Sequence, residues 1–249
     1  MAGTRGIEHR PDGDTVGVVT TTATERRSGQ ATTIALKLLM AVTGLVFIGY
    51  VLLHMYGNLW AFSGQQAFDD YAHHLRELLT PMLPYGGLLW ILRAVLLASL
   101  IGHAAAAFAL WSRAARARDR RYAVKKVVTA TLSSRTMRWG GVALLAFVIF
   151  HILHLTTHTI NPGGDPESPY LRLVGSFQVW WVAVIYLLAM LALGMHIRHG
   201  AFSMLQTLGL TDNRRRYRVA HAVGLVLAIV VAGGFALVPL GVLLGIVTT

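Results

Sequence analysis

Residues 138–162 read RWGGVALLAFVIFHILHLTTHTINP. The stretch from Arg138 to His158 is almost wholly apolar and carries no carboxylate. About 20 such residues in a helix, at 1.5 Å each, cross a hydrocarbon core about 30 Å thick. His151, His154 and His158 follow the spacing i, i+3, i+7, so they share one face of that helix. Polar groups are expensive inside a bilayer, and a helix that carries three imidazoles on one face invites a functional reading.

Working outward, similar runs lie at roughly 34–59, 86–111, 174–197 and 218–246, with the quoted run at roughly 138–158. Composition agrees: of 249 residues 55% are hydrophobic and 13% charged, unlike a soluble domain. None of the runs alternates with period two, which argues against a transmembrane β-barrel. The expected fold is an all-α integral membrane protein, five transmembrane helices in one bundle over 33–249. Residues 1–32 form a polar tail rich in Gly, Thr and charge, and the first apolar run is too long for a cleaved signal.

The net charge of +11 is sorted by connection. Arg5, Arg10, Arg26 and Arg27 lie in the tail. Arg113, Arg116, Arg118, Arg120, Arg121, Lys125, Lys126, Arg135 and Arg138 lie between the second and third runs, and Arg198, Arg214, Arg215, Arg216 and Arg218 between the fourth and fifth. The other two connections hold Asp69, Asp70, Glu77, Asp165 and Glu167. By the positive-inside rule the N-terminus is cytoplasmic and the C-terminus outside. Topology and anionic lipid account for the basic loops, and no nucleic-acid partner is implied.

Residue counts then give depth. His54 lies near the outer end of the first helix, and His151 and His154 lie roughly 20 and 24 Å along the third, also in its outer half. His103 lies roughly 27 Å along the second helix, and His196 sits in the inner half of the fourth. Two sets follow, His54 with His151 or His154 outside, and His103 with His196 inside. Bis-imidazole ligation closes both axial positions of a haem and suits electron transfer. With no cysteine in the chain, c-type attachment and self-contained iron–sulfur clusters are excluded. Imidazoles could still ligate a Rieske-like [2Fe–2S] centre whose cysteines come from a partner subunit, and a single haem b or a cofactor-free anchor are further alternatives. A proton-coupled or metal transporter would call for intramembrane carboxylates, broken helices or repeats. The spans hold neither Asp nor Glu, and Pro239 is the one proline inside them. His9, His73, His74, His158, His199 and His221 lie in the tail, in loops or near helix ends, and read as interfacial.

The residues also resemble a family. HMYGNLWAFSGQQAFDDYAHHL (54–75), ILRAVLLASLIGHAAAAFALWSRAARARDRRY (91–122), TMRWGGVALLAFVIFHILHL (136–155) and ALGMHIRHGAFSMLQTLGL (192–210) are similar to the cytochrome b-558 type membrane anchors of succinate dehydrogenase and fumarate reductase. The resemblance implies a multi-pass subunit in the cytoplasmic membrane of a prokaryote, part of respiratory complex II. It implies partner iron–sulfur and flavoprotein subunits, two haems b and exchange of electrons with membrane quinone. Carried over by motif, the ligands are His54, His103, His151 and His196, with His151 preferred to His154 because it directly follows the Phe of the F-H motif. A glutamate near the position of Glu77 is associated in diheme fumarate reductases with menaquinol oxidation, which marks Glu77 for quinone; the rival place is the inner surface near Lys37, His221 or the arginine cluster. The carboxylate that some of those enzymes carry beside the fourth-helix ligand is absent, since Gly194 and Met195 precede His196. Arg93, about two turns inside the outer end of the second helix, either snorkels or pairs with haem propionates.

Overall fold

The computed structural model describes residues 23–116 and 132–249. The greater part of the tail, and Arg118, Arg120, Arg121, Lys125 and Lys126, lie outside the described residues. Seven α-helices and one 3-10 turn make up the described regular structure. They are α1 (Ala23–Leu59), the 3-10 turn Trp60–Ser63, α2 (Gln65–Glu77), α3 (Gly87–Arg116), α4 (Leu132–Leu155), α5 (Pro169–Gln178), α6 (Trp180–Thr207) and α7 (Arg214–Leu243). Five of them, α1, α3, α4, α6 and α7, are long and apolar enough to cross a membrane. Helices are the form in which such segments can satisfy their own backbone polar groups in lipid.

The boundaries follow local chemistry. Gly64, at φ 89°, separates the 3-10 turn from α2, a conformation that costs glycine little. Ser168 caps α5 by accepting from Leu171 N–H, with Pro169 in the first turn. Asn213 caps α7 in the same way through Arg216 N–H. Gly209 at φ 75° ends α6, and Leu210 N–H returns to Leu205 C=O at 2.9 Å, the arrangement of a Schellman stop.

The fourth span differs from the sequence expectation. It begins at Trp180 and runs to Thr207, because Val179, at φ −80° and ψ 103°, breaks the chain after α5. The segment 169–178 is thereby a separate short helix that packs against α2, α6 and α7. Its buried Tyr170, Leu173, Val174 and Phe177 join Val182, Tyr186, Val238 and Val242 in the main apolar core. Tyr170 O–H also donates to Thr248 C=O at 2.8 Å, tying in the C-terminal residues. The acidic connections therefore fold down as a packed cap on one end of the bundle. Elsewhere large apolar side chains point outward, Leu53, Leu97, Ile149, Leu188 and Ile229 among them, as lipid-facing positions do.

Closest packing joins α6 with α7, α1 with α3, and α4 with α6. Gly224 permits the first of these. A Cβ there would lie 2.6 Å from Arg198 O. By contrast α1 and α4, and α3 and α6, stand off from each other across an internal cavity.

Candidate cofactor-binding cavity

The cavity measures about 1480 Å³, larger than the roughly 300–1,000 Å³ of a usual small-molecule pocket. Its walls are mostly apolar, and His54, His103, His151 and His196 all line it. Each comes from a different span, α1, α3, α4 and α6 in turn. They meet in two pairs. The rings of His54 and His151 are 5.8 Å apart between centroids, and those of His103 and His196 are 6.2 Å apart. The first pair lies near the C-terminal ends of α1 and α4, under the cap, and the second lies deeper toward the basic end.

These separations suit a metal held between the rings. With metal–nitrogen bonds of about 2 Å on opposite sides, two imidazole centres stand about 6 Å apart. Among the described residues no group of three or more His, Cys, Asp or Glu is placed to hold a metal ion. Two glycines flank the rings, where an added Cβ would meet them in ordinary contact. A Cβ on Gly44 would lie 3.9 Å from His103 Cε1, and one on Gly141 would lie 3.6 Å from His196 Cε1. His196 Nδ1 is buried and has no hydrogen-bond partner among the described residues. Each pair of imidazoles on the apolar wall is a donor set that fits bis-imidazole haem ligation.

One imidazole of each pair is held from behind by a hydroxyl. Thr43 Oγ1 lies 3.0 Å from His103 Nδ1, and Tyr186 O–H lies 3.2 Å from His151 Nδ1. Both hydroxyls escaped sequence reading. The one signal available was that each is a polar group within an apolar run, where polar groups mark function.

The remaining candidates fall in different places. His154 is 1% exposed, stacks on Phe150 and does not line the cavity. Arg93 lines the cavity with its guanidinium 4.8 Å from the Trp90 ring centre. Glu77 closes α2, exposed and 3.6 Å from His73 Nδ1, away from the cavity lining. His158 takes part in a loop cluster in which Asp165 binds both His158 Nδ1 at 3.2 Å and Arg172 Nε at 2.9 Å. His221 stacks on Phe202 at the opposite end of α7. Asp69 accepts Ser168 O–H at 2.6 Å and Tyr170 N–H at 3.0 Å, holding α5 to α2.

Residues 112–234 match the family model of the succinate dehydrogenase/fumarate reductase transmembrane subunit. The matched stretch includes His151 and His196, while His54 and His103 precede it. No curated protein and no solved structure matches the chain.

Proposed function

From the premise that the chain belongs to the succinate dehydrogenase/fumarate reductase transmembrane-subunit family, we propose that it is the anchor through which electrons pass between an iron–sulfur subunit and membrane quinone. The observation that carries the reading is the meeting of four histidines, from four spans, as two opposed pairs on one apolar cavity. His54 and His151 hold one haem b, and His103 and His196 hold the other. When bound, such centres would supply one-electron redox chemistry.

The chain's own residues do the rest. The apolar walls exclude water and set a low dielectric around the centres. Arg93 offers a guanidinium at the cavity wall, a shape that grips a propionate carboxylate in a two-point fork. The basic end faces the cytoplasm, and its arginines, including the exposed Arg214, Arg215 and Arg218, dock the iron–sulfur protein that carries the flavoprotein. At the capped end Glu77, beside His73, handles protons for a quinone site.

A reduced-minus-oxidised optical spectrum of the purified complex, with haem stoichiometry per chain, tests the reading. Two b-type haems are expected, and a preparation with full succinate:quinone activity and no haem would overturn it.

A further inference from the structure

Tyr186 stands between the two histidines of the segment HILH (151–154). Its hydroxyl oxygen is 3.2 Å from His151 Nδ1 and 2.9 Å from His154 Nδ1. A phenol has one proton to give, so it donates to one imidazole and accepts from the other. Which way the chain runs depends on which ring needs its Nε2 lone pair. His151 faces the cavity opposite His54, whereas His154 is buried off the cavity. On the reading proposed above, His151 binds metal through Nε2 and must keep its proton on Nδ1. That N–H therefore donates to the Tyr186 oxygen, and Tyr186 O–H donates to His154 Nδ1. The His154 proton then sits on Nε2, an atom with no protein partner.

We infer that Tyr186 and His154 are positioning residues for His151, a buried hydrogen-bond chain that fixes the ligand's tautomer, ring rotation and basicity. The surroundings suit that role. Tyr186 is 6% exposed, and Phe147 and Phe177 each meet its ring edge-to-face at 5.0 Å, so the hydroxyl has little freedom to turn away. Hydrogen bonds in so dry a site are strengthened by the low dielectric. A ligating imidazole that gives up density at Nδ1–H becomes a stronger donor at its other nitrogen. A stronger donor favours the ferric state, so the chain holds the reduction potential of the centre under the cap below the value it would otherwise have.

The test uses the assembled complex carrying Tyr186→Phe, which keeps the clamped ring and removes only the hydroxyl. Both haems should remain by optical stoichiometry. The potential of the centre that His54→Ala abolishes should rise by about tenfold in its ferric/ferrous equilibrium, about 59 mV for one electron, with the other centre unmoved. His154→Leu should move the same centre in the same direction by less, because it removes only the outer link. If Tyr186→Phe fails to assemble, His154→Leu read alone decides, a rise supporting the chain and no change refuting it. An unchanged potential with both haems present, or equal shifts in both centres, sinks the inference and leaves the haem reading standing. Absence of haem from the wild-type complex sinks that reading instead.

Discussion

Thr43 joins the backbone of its own helix to the His103 ring. The Thr43 hydroxyl donates to Leu39 C=O at 2.7 Å, so its oxygen accepts from His103 Nδ1–H at 3.0 Å. Having spent its one proton on the helix backbone, a hydroxyl can only accept from the ring. That arrangement favours the tautomer that leaves Nε2 unprotonated, the form a metal binds. Thr43→Val keeps the shape and removes the acceptor. On the proposed reading, retention of a haem between His103 and His196 is expected to weaken by about tenfold or more, with Thr43→Ser restoring it. Haem content after detergent dilution measures the effect, and equal retention in all three proteins would count against a role for the hydroxyl.

On the proposed reading, single alanine substitutions separate the haem ligands from the bystanders. His103→Ala and His196→Ala should each cost one haem of two, and His54→Ala and His151→Ala the other. His154→Ala should retain both, since that ring lies off the cavity. A haem lost with His154 and kept without His151 would reverse the assignment within HILH.

Much of this was legible in the sequence. A bilayer demands long apolar helices, so the five spans stand out, and residue counting along them places His54 near the depth of His151 and His103 near that of His196. The break at Val179 was not legible, because FQVWW holds neither Pro nor Gly to announce it. Nor were the partners Thr43 and Tyr186, or the Asp69 contact to α5. Each depends on which side chains meet across helices 32 to 101 positions apart, and periodicity within one helix carries no such information. Thr43 in particular looks like an unremarkable threonine in AVTGLVF until the packing of α1 against α3 puts His103 behind it.

Gly224 sets how closely α6 and α7 approach. Gly224→Ala places a methyl group 2.6 Å from Arg198 O, a backbone atom that cannot swing aside, and the expected cost is about 1–3 kcal/mol. Gly233→Ala on the same helix meets nothing within 4 Å and should cost little. Thermal unfolding in detergent, followed by tryptophan fluorescence, compares the two. Equal midpoints would refute the close-packing account.

Asp69 fastens the cap over the bundle. It accepts from both Ser168 and Tyr170 N–H, and a carboxylate at the start of a helix also complements the dipole there. Asp69→Ala should lose about 1–2 kcal/mol of local stability and expose the connection 156–168 to protease. Unaltered cleavage kinetics would show that the apolar core of α5 alone holds it down.

The basic end should bind its soluble partners by charge. Arg214, Arg215 and Arg218 are exposed at the start of α7, whereas Arg216 pairs with Asp212 at 2.8 Å and Arg113 reaches Thr33 at 2.7 Å. The first three are therefore the cations to vary. Exposed charges act over about 10 Å at 0.1 M salt and about 3 Å at 1 M, so attachment of the proposed iron–sulfur subunit through these arginines should weaken as salt rises. Reversing Arg214, Arg215 and Arg218 to Glu should release that subunit at low salt, where repulsion is least screened, while both haems remain in the membrane fraction. Added salt should partly restore binding in the variant and loosen it in the wild type. That crossing of the two salt dependences is the specific signature of electrostatic docking. Co-purification that is the same for both proteins from about 0.1 M to about 1 M salt would assign these arginines to topology and lipid headgroups alone.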